Sequence, residues 1–197
     1  MKVLFATSNK NKIIEAKAAL SPLGYMVEQL IIDGIFPNFI EPQTDHIEEV
    51  SKSKIQQSLE LISGTEFEGY SILVEDSGLF IESLNDFPGI YSSYVQNSIG
   101  NEGILKILEN ISNRRAEYRA YSILYENGKY WESLGICSGK ISKKIRGTHG
   151  FGYDPIFIPD TGDGRTFGEM SKLEKDSQSH RGKSLRILCD ELQRPSK

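Results

Sequence analysis

Ser71-Ile72-Leu73-Val74-Glu75-Asp76-Ser77-Gly78 is the stretch on which the fold turns. Ser71 to Val74 reads as a short buried strand, and the polar run from Glu75 reads as its end. Active groups in α/β proteins favour the C-terminal edge of strands, so the pair Glu75-Asp76 marks this edge as a candidate site.

Upstream, residues 2–6 form a first strand, a polar turn follows, and residues 12–20 form a helix that Pro22 and Gly24 end. A short strand over 27–32 leads into an irregular stretch carrying Pro37, Glu41 and Pro42. Ile47, Val50, Ile55, Leu59 and Ile62 then mark a helical stripe that Gly64 stops. Downstream, a short helix over 100–108 precedes a hairpin pairing 117–125 with 130–138 across Asn127-Gly128, a dipeptide suited to a tight hairpin turn. A glycine-rich loop (147–152), a short strand (155–158), a polar loop, a helix (182–192) and a frayed tail, Arg194-Pro195-Ser196-Lys197, complete the chain. This mixture of elements predicts an α/β protein with a mixed sheet.

At 197 residues the chain is expected to form a single domain over 1–197, with two lobes and a cleft as the natural site. A net charge of -4 excludes the basic surface that nucleic-acid binding needs, while a few local cations suffice for a small anion. The apolar opening stops at Thr7-Ser8-Asn9, which fits neither a signal peptide nor a membrane span, and the unpaired spacing of Cys137 and Cys189 suits a reducing cytoplasm. Gly182-Lys183-Ser184 imitates the end of a Walker A loop, but Ser177 stands where its upstream glycine belongs. Gly162-Asp163-Gly164 fails as a dinucleotide fingerprint at Phe167, and His46, His149 and His180 lack zinc spacing.

Four segments carry chemistry. Thr7-Ser8-Asn9-Lys10-Asn11-Lys12 sets hydroxyls, amides and two ammonium groups at a helix start, where backbone N–H groups favour an anion. Glu41, Glu75 and Asp76 offer hard oxygen ligands of the kind magnesium accepts, and neighbours on a strand point to opposite sides, so Glu75 and Asp76 do not share one role. Gly147-Thr148-His149-Gly150-Phe151-Gly152-Tyr153-Asp154-Pro155 lets the backbone approach a ligand while aromatics project to stack on a base. Lys172 to Lys175 and Ser179-His180-Arg181 add donors. Each has a plainer explanation when taken alone: a capped helix, a turn acid, a structural loop, a solvated helix end.

Together these segments, with Ile40-Glu41-Pro42-Gln43, Pro88-Gly89-Ile90-Tyr91-Ser92 and Phe167-Gly168-Glu169-Met170, resemble the inosine/xanthosine triphosphate pyrophosphatase (HAM1) family across nearly the whole chain. The resemblance implies an elongated mixed sheet with flanking helices forming two lobes around a central cleft, a homodimer, and magnesium as cofactor. It implies hydrolysis of ITP, dITP and XTP to the monophosphate and pyrophosphate. On it, Lys12 with Ser8 and Asn9 holds the triphosphate, Glu41 and Asp76 hold the metal, and Asp76 takes a proton from the attacking water. Ser77 meets a phosphate or sugar oxygen, and Lys54 and Lys175 add charge. Phe151 stacks on the base, beside Gly152 and Tyr153; Asp154 accepts a ring N–H, and His180 and Arg181 donate to the purine oxygen at position six.

Ser93 and His149 depart from common family patterns, which offer a cation and a glycine there. A related pyrophosphatase for pyrimidine or modified nucleotides fits the 151–154 loop less well, and a sensor without turnover has no use for Glu41 and Asp76.

Overall fold

The structure, a computed structural model, describes residues 1–194; the tail from Pro195 on lies outside the described residues. Strand β1 (Lys2–Phe5) buries Val3, Leu4 and Phe5 because parallel neighbours flank it: β2 (Met26–Gln29) on one side and β3 (Ser71–Ile81) on the other. Helix α1 (Lys10–Leu20) links β1 to β2, and α2 (Ile47–Ile62) precedes β3, burying Ile47, Val50, Ile55 and Ile62 as its apolar spacing predicts.

After β3, a two-residue strand β4 (Pro88–Gly89) pairs antiparallel with it. Helices α3 (Ser92–Ser98) and α4 (Gly100–Ile107) follow. Strands β5 (Arg115–Glu126) and β6 (Lys129–Ile141) meet at Asn127 and Gly128, with φ of 50° and 79°, the positive values a two-residue hairpin turn needs. Strand β7 (Phe157–Pro159) runs antiparallel to β6, and α5 (Lys172–Gln178) and α6 (His180–Gln193) close the described chain. The sheet among the described residues is mixed and seven-stranded, in the order β2-β1-β3-β5-β6-β7 with β4 beside β3.

The chain divides into two compact units. Among the described residues, the first comprises 1–76, 121–134 and 184–194; the second comprises 77–120 and 135–183. In the first, Val3, Phe5, Leu20 and Leu188 belong to one apolar cluster and Leu4, Leu30, Ile72 and Val74 to another. In the second, Leu79, Ile104, Tyr118, Phe157 and Phe167 belong to a single cluster.

Three sequence expectations need correction. The strand from Ser71 does not end at Val74 but runs to Ile81, so Glu75, Asp76 and Ser77 are interior strand residues. The apolar run Leu79-Phe80-Ile81 resumes burial beyond the polar residues and pairs with β4, which holds the backbone extended through them. The strand expected over 27–32 is Met26–Gln29, because its pairing with β1 ends at Phe5↔Gln29. Helix α6 begins two residues earlier than expected, at His180, where the Ser179 hydroxyl accepts the Gly182 N–H at 3.0 Å. The Walker-like Gly182-Lys183-Ser184 lies inside that helix, with Ser184 bonded to the buried hydroxyls of Ser122 and Ser133.

Gly78 shows why a glycine follows the acidic run. A Cβ there would stand 2.1 Å from the Gly89 carbonyl oxygen and 3.1 Å from Ser92 Oγ. That hydroxyl accepts the Leu79 N–H and donates to the Gly89 carbonyl, both at 2.7 Å, so neither neighbour can retreat without losing a buried bond. Gly78→Ala is expected to destabilise the protein by about 2 kcal/mol or more, as overpacking does. A urea midpoint unchanged from the wild type would contradict this contact.

Candidate active site

The first unit gathers the phosphate-type residues. Asn9 caps α1: its Oδ1 accepts from the N–H of Asn11 at 2.9 Å and of Lys12 at 3.3 Å, and its own N–H donates to Thr7 Oγ1 at 3.2 Å. Thr7 is buried, and its carbonyl accepts from Gln29. The cap therefore occupies two of the helix-start N–H groups that an anion could use. Ser8, Lys10 and Asn11 are exposed, whereas the side chain of Lys12 is only 12 % exposed and turns toward β3.

Lys12 Nζ donates to the Glu75 carbonyl at 3.1 Å and lies 3.5 Å from its carboxylate. Glu75, 2 % exposed, thus holds the lysine. From α2, Lys54 Nζ stands 3.0 Å from Glu41 Oε1 and 3.8 Å from Asp76 Oδ1. Strand alternation explains the split, since neighbouring side chains leave β3 on opposite faces. Burial pushes the Asp76 carboxyl above its ordinary range; Lys12 and Lys54 pull it back, and Glu41 and Glu75 add to the push.

Two carboxylates, Glu41 and Asp76, thus flank one ammonium, a hard-oxygen set that suits a magnesium ion taking its other ligands from water and phosphate. Among the described residues, no three or more His, Cys, Asp or Glu side chains stand together as a metal-holding group, so such an ion would lean on substrate oxygens.

The second unit gathers the base-type residues. Asp154 is buried, and its Oδ2 accepts the Phe151 N–H at 2.8 Å and the Lys175 ammonium at 2.5 Å. Burial raises the Asp154 carboxyl, against the pull of Lys175, the Phe151 N–H and Arg181. Lys175 also lies 4.4 Å from the centre of the Phe151 ring, and the Arg181 guanidinium 5.7 Å from it. Arg181 Nη2 reaches Ser77 Oγ at 3.4 Å. Gly152 is partly buried and Tyr153 buried, while Phe151 is 39 % exposed. Lys175 therefore stands with the aromatic loop rather than with Lys12 and Lys54. Gly150 is required here, since a Cβ on it would lie 2.0 Å from Asp154 Oδ2.

Sequence reasoning passed over Tyr118 and gave Ser92, quoted only within a family motif, no role of its own. The Tyr118 ring stacks on His180 at 4.5 Å and 7°, and the Ser92 carbonyl accepts the Tyr153 hydroxyl at 2.9 Å. For Tyr118 a signal exists: Ala116, Tyr118 and Ala120 share one inward face of β5, and a large ring between two alanines has something to pack on.

The raised proton affinity of Asp76 has a consequence for stability. A carboxyl whose folded pKa exceeds its unfolded value costs nothing below the unfolded value, and the cost is complete once pH rises above the folded one. Near neutral pH, in chelator, Asp76→Asn is expected to raise Tm above that of the wild type, because burial together with the neighbouring Glu41 and Glu75 outweighs the attraction of both lysines. A lowered Tm on the same thermal scan would reverse the sign of that balance.

Residues 3–191 match the model of the Ham1 family. The dITP/XTP pyrophosphatase of Pyrococcus horikoshii is 43% identical over 98% of this chain and 97% of its own length. That of Methanopyrus kandleri is 45% identical over 96% and 95%. Among solved structures, the Staphylococcus aureus Ham1 protein superposes with a TM-score of 0.83 at 27% identity, covering 98% of each chain. The chain belongs to the Ham1 family.

Proposed function

We propose that this protein hydrolyses the non-canonical purine nucleoside triphosphates ITP, dITP and XTP to the monophosphate and pyrophosphate, clearing them from the nucleotide pool. Relatives named dITP/XTP pyrophosphatase, matched over nearly their full length, support the reading. The observation that carries it is a charge imbalance. Glu41, Glu75 and Asp76 outnumber Lys12 and Lys54, leaving the group one negative charge in excess when all are ionised. A triphosphate gains nothing from such a surface unless a divalent cation joins it, which is the arrangement of a metal-assisted phosphoryl site.

Magnesium, when bound, would be held by Glu41 and Asp76 and would offset charge on the phosphate oxygens. Lys12, steadied by Glu75, stabilises the charge that builds on the departing pyrophosphate. Lys54 does the same from α2. Asp76, beside Lys54 and Glu41, orients the attacking water and accepts its proton, a transfer that a bound metal would ease by making that water more acidic.

On the base side, Phe151 stacks, and His180 and Arg181 present donors to an oxygen at position six. An adenine amino group would leave those donors unpaired. A homodimer follows from the family resemblance, and a reducing cytoplasm from the unpaired spacing of Cys137 and Cys189; none of the described helices is long and apolar enough to cross a membrane. Light scattering on the purified protein should then give twice the chain mass of 22.1 kDa, and a mass of one chain would remove the dimer.

The deciding experiment offers each nucleoside triphosphate with magnesium and scores pyrophosphate against orthophosphate. Pyrophosphate from dITP, ITP and XTP is expected, with far less from ATP; orthophosphate alone overturns the reaction. Arg181→Ala should reduce the preference for ITP over ATP roughly tenfold or more, the scale of a hydrogen bond from a charged donor. An unchanged ratio of kcat/KM values would take Arg181 out of base selection.

A further inference from the structure

The loop that carries Phe151 is held from a side that the chemistry above does not use. Gly152 adopts φ +62°, and the place of its missing Cβ has no atom within 4 Å, so backbone freedom rather than space requires a glycine there. Such a peptide unit needs an outside hold to keep one orientation. Two side chains supply it: Gln96 Nε2 donates to the Gly152 carbonyl at 3.2 Å and Asn101 Nδ2 donates to the same oxygen at 3.1 Å.

Gln96 lies in α3 and Asn101 in the first turn of α4. The Tyr153 hydroxyl, bonded to the carbonyl of Ser92 at the start of α3, adds a third tie from the same stretch of chain. Both lone pairs of the Gly152 oxygen are thus engaged, which fixes the peptide plane between Phe151 and Tyr153. Because a trans peptide points its two polar groups apart, the Tyr153 N–H is turned away from the amides.

The other ends of these amides show what the arrangement costs. Gln96 Oε1 and Asn101 Oδ1 are buried with no hydrogen-bond partner among the described residues. Turning either amide over would set its oxygen against the Gly152 oxygen, so each nitrogen is committed and each oxygen is left over. A buried acceptor without a partner costs roughly 1–3 kcal/mol, and such groups cluster where position matters more than stability.

We infer that Gln96 and Asn101 are positioning residues that clamp the Gly152 carbonyl and thereby fix the Phe151 ring for the purine base. The inference rests on the base reading of the 151–154 loop. Neither residue touches substrate in this role, and the effect falls on base binding rather than on the phosphate step.

Gln96→Glu and Asn101→Asp keep shape but set an acceptor against the Gly152 oxygen, and Gln96→Met removes the donor without adding charge. Each is expected to raise KM for dITP roughly three- to tenfold, the scale of one lost hydrogen bond, with kcat within about twofold of the wild type. The dITP-to-ATP ratio of kcat/KM should fall by a similar factor. If Asn101→Asp does not fold, the two Gln96 variants decide. KM and the ratio unmoved in both, or a loss confined to kcat, would reduce the clamp to a structural contact. If wild-type protein released no pyrophosphate from dITP, ITP or XTP, the functional reading would fall and the inference with it; wild-type turnover with unmoved variants overturns the inference alone.

Discussion

Glu75 is 2 % exposed in the interior of β3, and a carboxylate held there costs free energy unless a cation meets it. Two helices answer that demand together with the neighbouring Asp76. Helix α1 must begin at Lys10 for Lys12 to reach the strand, and the Asn9 cap sets that start. Helix α2 must present Lys54 beside buried Ile55, so the apolar stripe that anchors α2 also aims its lysine. The packing of both helices and the electrostatics of one strand are thus the same constraint seen from two sides. Since the two lysines do not fully offset burial and the neighbouring acids at Asp76, the group gives up stability.

The second unit meets a similar demand by closing a loop. Asp154 is buried beneath Phe151 and satisfied by the backbone N–H of that residue and by Lys175. Three glycines permit the approach: Gly150 clears the Asp154 carboxylate, while a Cβ on Gly147 would strike the backbone of Gly168 at 2.0 Å and one on Gly168 the backbone near Pro155 at 2.8 Å. The spacing Gly150-Phe151-Gly152-Tyr153-Asp154-Pro155 is in this sense a packing prescription as much as a recognition motif. A loop whose carboxylate is spent on its own backbone and on a lysine presents its aromatic face without presenting free negative charge.

Much of this was legible in the residues. The Asn127-Gly128 hairpin, the α2 stripe and the mixed α/β class follow from turn chemistry and periodicity, both local properties of the chain. The extent of β3 was not, because polar residues in a strand interior look like a strand end until Leu79-Phe80-Ile81 and their β4 partners are seen to continue it. Nor was the division of the lysines. Lys12, Lys54 and Lys175 are equivalent in sequence, and only tertiary placement sets Lys175 on Asp154 and Phe151 and the other two on the acids of β3. The Gln96–Asn101 pair was invisible for the same reason, since both amides act through the Gly152 carbonyl, distant in sequence, whereas the alternation around Tyr118 marks an inward ring without naming its partner His180.

The two groups differ in charge as their proposed ligands do. A purine base is neutral, and the residues gathered around Phe151 would meet it with one carboxylate already paired to a lysine and with Arg181 as a further cation. A triphosphate is strongly anionic, yet Glu41 and the two acids of β3 outnumber Lys12 and Lys54, and the whole chain carries -4. An anionic protein that takes an anionic substrate needs its positive charge to arrive with the ligand rather than to be built in. Carboxylates in excess over lysines provide for that: they disfavour bare phosphate and favour phosphate that brings a divalent cation. On the proposed function, Glu41, Glu75 and Asp76 favour complexed over free nucleotide, and the donors and ring around Phe151 choose between bases.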